Sequence, residues 1–335
     1  MRIIKAFAAG VIAAAIVGGH AFAQAPVKIR LSWIVPASNI ASILFLKEGV
    51  AKHLGKTYTS ESIRYQGTPP MITALAVNEL DVGTLNYSSI GLGIQNAGMD
   101  DLRIFAGEFQ DGVPGKYSNR FFVRNDGGIA KVADLKGKVI AINSTGAAID
   151  IAMRAMLKKA GLEDKRDYTI VEAPFGAMKA MLLEKKADLV AVGLPFSNDA
   201  ELLAKGKVLF TQGDAIGPTE LGFWVAHDAF LKKNKAAVVD MLEDTLRLTR
   251  WYLDPKNHTE AVKIAADFAK APPALFDSWL FTEKDYYRDP NLAPNIAGTQ
   301  NALDQMRALG FLKDPIDMKK YVDLTYLEEA RKRLQ

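Results

Sequence analysis

The sequence contains no cysteine and only 4 histidines among its 335 residues. Without a thiol there is no cysteine nucleophile, no thiolate metal site and no iron–sulfur cluster. Beyond the N-terminal segment the histidines are His53, His227 and His258, and no two of them are spaced like a metal-ligand pair. We therefore expect neither a metal nor a cofactor.

The chain also lacks the short motifs that mark common catalytic sites. It has no G-x-S-x-G, no H-E-x-x-H and no Walker sequence. Its 42 basic and 38 acidic residues are interspersed, so no basic stripe for nucleic acid is present. Asp81 and Asp188 precede the ends of predicted strands and are interpreted as structural. We expect no catalytic residue and no nucleic-acid partner.

The N-terminus has the pattern of a secretory signal peptide. Two basic residues precede an uncharged apolar run at 6–19, which is shorter than the roughly 20 residues that span a bilayer. The small-x-small sequence Ala21-Phe22-Ala23 follows. We predict a signal peptide over 1–23, cleaved after Ala23. Because the site has no cysteine for a lipid anchor, we expect a free periplasmic protein.

Strand and helix patterns alternate in two similar stretches of the mature chain. Residues 27–85 and 138–192 each predict a βαβαβ unit, which is typical of a parallel sheet with crossover helices. In the first stretch a helical pattern covers 40–51, and Thr68 is the expected N-cap of the next helix. After Pro218 the pattern becomes a strand followed by helices. The fold class is therefore α/β, with two Rossmann-like lobes.

The chain is predicted to pass twice between these lobes. The first lobe would comprise 24–112 plus 222–335, and the second would comprise 118–220. The two crossings, near 112–117 and 217–222, contain glycine, as hinges often do.

Open α/β sheets bind ligands beyond the carboxyl ends of their strands, and four predicted loops begin at such ends. Helix starts in such loops carry unpaired N–H groups and partial positive charge, which favour an oxyanion. Helix capping is the alternative role of the Ser, Thr and Asn residues. The candidate ligand-binding residues in these loops are Trp33, Ser38, Asn39, Tyr87, Ser88, Ser144, Thr145, Gly146 and Phe196.

Aromatic residues and one arginine complete the candidate site. Trp33, Tyr87, Phe196 and Trp224 are candidates for apolar walls, with core packing as the alternative. Arg120 follows the first crossing, where it could pair with a carboxylate in bidentate fashion. Its alternative is a solvated position at a strand start.

Several segments, in this order, resemble the nitrate/sulfonate/taurine-type periplasmic solute-binding proteins of ABC transporters. They are Asn78–Gly83 (NELDVG), Ile129–Lys138 (IAKVADLKGK), the Ser144-Thr145-Gly146 turn and a helical arm over 230–261. The resemblance implies the type II periplasmic-binding fold, a two-lobed clamp that closes on its solute. It also places the following residues near the cleft: Trp33, Ser38, Asn39, Ser88, Ser144, Thr145 and Phe196.

The resemblance implies a binding protein, not an enzyme. We expect a monomer that captures a small organic anion and delivers it to an ABC permease with its ATPase. The 33–39 loop has its own pattern, so the anion is expected to be a sulfonate or carboxylate, including an aromatic carboxylate such as phthalate.

Two alternatives remain. The same fold serves the yeast-type thiamine pyrimidine synthase, whose cysteine-rich iron motif is absent here. A ligand-sensing subunit of a signalling receptor is the other.

Overall fold

The computed structural model describes residues 25–335, so the predicted signal peptide at 1–23 lies outside the described residues. The strands are β1 (Val27–Trp33), β2 (Tyr58–Arg64), β3 (Gly83–Leu85), β4 (Leu102–Asp111), β5 (Arg120–Arg124), β6 (Lys138–Ile142), β7 (Tyr168–Glu172), β8 (Leu189–Val192), β9 (Gly206–Thr211) and β10 (Thr219–His227). In this part of the chain, no helix is both long and apolar enough to cross a membrane.

The α-helices form most of the C-terminal third and the connections between strands. They are α1 (Thr68–Ala76), α2 (Tyr87–Ala97), α3 (Ala148–Lys159), α4 (Met178–Leu183), α5 (Ala200–Lys205), α6 (Gln212–Ile216), α7 (Asp228–Lys233), α8 (Lys235–Leu253), α9 (His258–Ala269), α10 (Ala274–Asp277), α11 (Ile296–Ala308) and α12 (Thr325–Lys332). The helical tail after β10 is as predicted.

The strands form two arrangements with the same order. In the first half, β2 pairs with β1, a parallel bridge joins Leu31 to Val82 just before β3, and β3 continues into β10 and β4. In the second half the order is β7-β6-β8-β5-β9. The first three strands of each are parallel, as predicted.

The fourth strand of each arrangement runs in the opposite direction to the first three, which the sequence did not predict. β10 runs antiparallel to β3 and β4, and β5 runs antiparallel to β8 and β9. Each of these strands follows a passage of the chain from one half to the other. Its direction is therefore set by a long-range connection and not by the local periodicity from which the parallel units were inferred.

Two aspartates make equivalent contacts in the two strand arrangements, Asp81 just before β3 and Asp188 just before β8. The Asp81 carboxylate accepts a hydrogen bond from the backbone N–H of Arg30 at 2.9 Å and pairs with the Arg30 guanidinium at 2.7 Å. In the second half, Asp188 accepts from the backbone N–H of Val139 at 3.1 Å. The structural interpretation of both aspartates is confirmed.

The prediction of a helix over 40–51 was wrong. The chain makes only two short 3₁₀ turns there, Ile40–Ser42 and Leu44–Leu46. The carbonyl of Ile43, which an α-helix would use internally, instead accepts from the Tyr252 hydroxyl at 2.8 Å. The same carbonyl also accepts from the N–H of Leu46 at 3.0 Å, which is the hydrogen bond of a 3₁₀ turn.

The expected N-cap of α1 is also shifted by one residue. Gly67 is the N-cap and Thr68 is the first helical residue. The hydroxyl of Thr68 instead accepts from the Asn86 amide at 3.3 Å.

One apolar core runs from the first half into the second. Leu75, Ile90 and Phe223 belong to the same buried cluster as Ile149 and Met153 on α3. The ends of α2 and α3 are therefore close together, and the space between the two halves is narrow there.

Candidate ligand-binding cavity

An inner cavity lies between the two halves, at the carboxyl ends of four strands. The 34–39 loop after β1 and Asn86 after β3 line it from the first half. Asn143 after β6 and the Gly193-Leu194 pair after β8 line it from the second. Its volume is about 70 Å³. The sequence correctly predicted that these loops would meet at one place.

The wall of the inner cavity is neutral. None of the described residues that line it is an aspartate, glutamate, lysine, arginine or histidine. Four asparagines supply most of its polar groups, Asn39, Asn86, Asn119 and Asn143, with apolar side chains such as Phe109 between them. Recognition here must use hydrogen bonds and backbone dipoles in place of a charged side chain.

The N-terminus of α3 opens onto the inner cavity without a cap. The N-cap is Ala147, whose side chain makes no capping hydrogen bond, and Ala147, Ala148 and Ile149 all line the cavity. First-turn N–H groups have no partner within their own helix. The carboxylate of Asp150 does not serve them, because it accepts from the N–H of Gly146 at 2.8 Å. The N–H groups of Ala148 and Ile149 thus have no hydrogen-bond partner among the described residues, and they carry partial positive charge at the cavity wall.

Two other helices that begin at this cavity do not offer donors in the same way. The first turn of α1 contains Pro69 and Pro70, which have no N–H. The first turn of α2 has a capping box. The Asn86 side chain accepts from the backbone N–H of Ser89, and the Ser89 hydroxyl accepts from the backbone N–H of Asn86. Of these three helix starts, α3 is the one suited to hold an anion.

An outer cavity of about 300 Å³ adjoins the inner one. The two share Ile34, Val35 and Phe175 as common wall residues. The rings of Phe175 and Phe196 stack at the outer cavity, with centroids 6.5 Å apart. Arg64 also lines the outer cavity. Among the described residues that line the two cavities, it is the one with a charged side chain.

Sequence and structure comparisons identify the family. A model of the NMT1-like family matches residues 23–266, well over half of the chain. This chain belongs to the NMT1-like family. No curated protein matches it in sequence.

Solved structures share the fold of this NMT1-like chain. The periplasmic aliphatic sulphonate-binding protein SsuA from Escherichia coli is 20% identical, with a TM-score of 0.67 over 89% of this chain and 92% of its own. The periplasmic nitrate-binding protein NrtA from Synechocystis PCC 6803 is 16% identical, with a TM-score of 0.73 over 92% and 89%. The desulfurization enzyme DszB is 13% identical, with a TM-score of 0.63 over 92% and 100%. The predicted α/β fold class and the resemblance to nitrate/sulfonate-type binding proteins are confirmed.

Three of the predicted site residues of the NMT1-like chain line a cavity. Ser38 and Asn39 line the inner cavity, and Phe196 lines the outer one. The Ser38 hydroxyl donates across the cavity to the Leu194 carbonyl at 2.7 Å. Ser38 therefore joins the two halves directly.

Two others, Tyr87 and Ser88, bind the start of α3 and the turn before it, and the predicted residue Gly146 belongs to that turn. The Tyr87 hydroxyl donates to the carbonyl of Ala148 at 2.9 Å, and Ser88 donates to the carbonyl of Gly146 at 2.9 Å. Tyr87 is fully buried, and its burial raises the pKa of its hydroxyl, which keeps it a donor. These residues position the helix start and do not line either cavity.

Ser144 and Thr145 lie four and three residues before the first residue of α3. They were expected to begin the helix, but Ala148 is its first residue. The Thr145 N–H donates to Glu172 at 2.8 Å on the exposed side of the turn. Ser144 packs against the backbone of Gly67. The donors facing the cavity come from the backbone after this turn.

Neither cavity is lined by Trp33, Arg120 or Trp224. Trp33 is buried and packs edge-on against Phe268 on α9, with ring centroids 5.4 Å apart. The Arg120 guanidinium lies 5.1 Å from the centroid of the Tyr117 ring. Trp224 is in the core, which is the alternative stated for it from the sequence.

Several lining residues were not among the predicted ones. Asn86 and Asn143 follow strands directly, so the sheet-edge rule could have selected them over their neighbours. Asn119 precedes β5, and Tyr286 is far along the helical tail. The Tyr286 hydroxyl donates to Asn119 at 2.6 Å, a contact between segments 167 residues apart. No local sequence pattern signals such a pair.

No group of three or more histidine, aspartate or glutamate side chains in residues 25–335 is arranged to hold a metal ion. A buried carboxylate, however, lies close to the first predicted crossing. Asp111, the last residue of β4, accepts from the Ser118 hydroxyl at 2.5 Å and from the Asn119 N–H at 2.9 Å. Burial raises its pKa to about 7, against the effect of these two donors.

This shift predicts a pH-dependent stability. Between about pH 4 and 7 the folded protein holds a proton on Asp111 that the unfolded chain has released. The free energy of unfolding therefore falls as the pH rises through this window, by at most about 1.4 kcal/mol per pH unit from this group. Urea unfolding at several pH values should show a shallower fall for Asp111→Asn than for the wild type. Equal slopes would contradict the assignment.

Proposed function

We propose that this protein is the periplasmic solute-binding component of an ABC importer and captures a small organic anion in the inner cavity. The observation that carries the proposal is the uncapped N-terminus of α3, which lies in the wall of a partly open cavity between the two halves. A helix start of this kind favours an anion without a charged side chain.

The proposed clamp has two lobes, 24–112 plus 222–335 and 118–220. Its support is that every strand from β5 to β9 belongs to one sheet and that β10 pairs with β3 and β4 in the other. The boundary at 222 falls within β10, because Thr219 already pairs with Asp111. Hydrogen bonds from Ser38, Tyr87 and Ser88 to the opposite half hold the clamp closed.

The two cavities suit different parts of one solute. A carboxylate or sulfonate would bind at the neutral inner cavity, against the N–H groups of Ala148 and Ile149. An apolar or aromatic body would extend into the outer cavity along the stacked rings of Phe175 and Phe196. Arg64 at the outer cavity would attract the anion or hold a second acidic group. A dicarboxylate with an aromatic ring, of the phthalate type, combines these features.

The predicted signal peptide and family membership support a role outside the cytoplasm. We propose that the signal peptide is cleaved after Ala23, and that the monomeric mature protein presents its solute to a permease served by an ATPase. SsuA and NrtA, which share the fold, are described as periplasmic binding proteins for sulphonates and nitrate.

An enzyme of this fold is the alternative, since DszB has it too. The described lining of the inner cavity contains no cysteine, histidine, lysine or carboxylate that could act as nucleophile or general base. This composition supports binding over catalysis. A sensing role would use the same cavity and differs only in the partner.

A thermal-shift panel on residues 24–335 tests the proposal. The panel comprises alkanesulfonates, aliphatic acids, aromatic mono- and dicarboxylates, nitrate and neutral pyrimidines. A true ligand at a hundred times its dissociation constant should add about 2.7 kcal/mol to the free energy of unfolding. We expect an organic anion to raise the melting midpoint. If only neutral compounds or none at all do so, the proposal is wrong.

A further inference from the structure

Three of the four asparagines in the inner cavity have their side-chain oxygens occupied by the protein. The Asn39 oxygen accepts from the N–H groups of Ile34 and Val35 at 3.1 and 3.0 Å. The Asn86 oxygen accepts from the N–H of Ser89 at 3.0 Å. The Asn119 oxygen accepts from the Tyr286 hydroxyl at 2.6 Å. Each of these oxygens therefore already has at least one protein donor.

Asn143 differs from the other three. Its side-chain oxygen is buried and has no hydrogen-bond partner in the described part of the chain, and the residue is only 3% exposed. It is the one side chain of the inner cavity lining with such an atom among the described residues. A buried acceptor without a partner is unfavourable, so native proteins rarely leave one.

The orientation of the Asn143 amide is fixed by Gln66. The Asn143 nitrogen donates to the Gln66 carbonyl at 3.3 Å, and the Gln66 side chain donates to the Asn143 carbonyl at 3.1 Å. Exchanging the oxygen and nitrogen of the Asn143 amide would place two oxygens against each other. The free oxygen therefore cannot turn to find a protein partner without breaking the contact between the halves.

We propose that Asn143 is a specificity-determining residue that accepts a hydrogen bond from the solute. The solute is then an anion that also carries a hydroxyl, amino or ring N–H group, so a hydroxylated or aminated aromatic acid fits the cavity better than unsubstituted phthalate. This inference rests on the proposed function, because the acidic group occupies the start of α3 and only the second group reaches Asn143. Both positions lie in the wall of one cavity, since Asn143 and Ala147–Ile149 all line it.

The chemistry of the two positions is complementary. The α3 start offers donors and attracts negative charge, whereas a bare carboxylate or sulfonate has no proton to give to the Asn143 oxygen. An anion without a donor would leave this acceptor buried and unpaired. The site therefore discriminates between a simple acid and its hydroxylated or aminated counterpart, beyond recognising anions in general.

Matched pairs of acids test this inference by isothermal titration calorimetry. The probes are benzoate against 3- and 4-hydroxybenzoate, and ethanesulfonate against 2-hydroxyethanesulfonate and 2-aminoethanesulfonate. We expect at least one donor-bearing member to bind the wild type about tenfold or more tightly than its parent, the effect of one hydrogen bond. In Asn143→Leu, which keeps the size of the side chain, this preference should disappear. Because leucine also removes the hydrogen bond from Asn143 to the Gln66 carbonyl, the affinity for both members should fall, and the decisive quantity is the ratio of their dissociation constants.

Asn301→Leu is the matched control, because Asn301 is exposed on α11. It should bind every probe as the wild type does. If the wild type binds anions but prefers no donor-bearing member, the inference fails while the proposed function stands. The same holds if Asn143→Leu weakens both members of a pair equally. If no anion binds the wild type, both fail. The wild-type comparison decides the matter even if Asn143→Leu does not fold.

Discussion

Ala148→Pro should weaken binding of the solute by about tenfold to a hundredfold while leaving the fold intact. Ala148 is the first residue of α3, and proline there removes one backbone donor at the cavity. A hydrogen bond to a charged group contributes about 1.5–3 kcal/mol. The proline ring would also occupy part of the space where the acidic group is expected. Calorimetric titration with the tightest-binding panel anion measures the loss.

The helix itself should tolerate this substitution. Proline is favoured at the first helical position, and the preceding residue must be extended. Ala147 meets that condition with φ −70° and ψ 162°. A melting midpoint close to that of the wild type is therefore expected, so a loss of affinity is not a loss of fold.

Ala200→Pro provides the matched control. Ala200 is the first residue of α5, is exposed, and follows Asp199, which is extended with φ −60° and ψ 125°. The same substitution at the same helical position should leave the affinity unchanged. If Ala148→Pro binds the anion as tightly as Ala200→Pro, then α3 does not hold the acidic group.

Gly67→Ala should prevent full closure of the two halves. A Cβ built on Gly67 would lie 2.8 Å from the Cβ of Ser144 and 3.2 Å from the amide nitrogen of Asn143. Both neighbours belong to the opposite half, and the Ser144 Cβ is fixed to its backbone. The added methyl would hold the halves apart, so the binding-competent form would be less populated. If its population falls to about 1%, the dissociation constant rises about a hundredfold.

A second substitution should restore binding. Ser144→Gly removes the Cβ that the methyl group meets, so Gly67→Ala with Ser144→Gly should bind more tightly than Gly67→Ala alone. Gly127→Ala is the control, since a Cβ there meets its nearest atom at 3.4 Å. Calorimetry on the wild type, Gly67→Ala, Ser144→Gly and the double variant gives the coupling energy between the two positions. Independent, additive effects would show that this contact does not control closure.

The fold was largely predictable, because alternating strand and helix patterns are local. The three parallel strands of each half and the start of β1 follow from the periodicity of a few residues. The reversed direction of β5 and β10 does not, since it depends on how the chain returns between halves. The contacts of the 40–51 segment are also long-range, since its Ile43 carbonyl accepts from Tyr252 on α8, 209 residues away.

The candidate site was predicted at the level of loops but not of atoms. The carboxyl ends of the strands located the 34–39 loop and the turn after β6. Hydroxyl side chains were then favoured, yet Ser144 and Thr145 precede the helix start and the backbone of Ala148 faces the cavity. A helix boundary misplaced by a few residues thus changed which groups reach the solute. Tyr286 could not be found from the sequence, because its partner Asn119 is distant along the chain.

The most direct test of the central claim is a crystal structure of residues 24–335 with the tightest-binding anion of the panel. The acidic group of the anion should lie in the inner cavity, with an oxygen within about 3.2 Å of the backbone nitrogen of Ala148 or Ile149. Residues of both halves should contact the solute. An anion bound elsewhere on the surface, or held by a charged side chain without contact to the start of α3, would contradict the account.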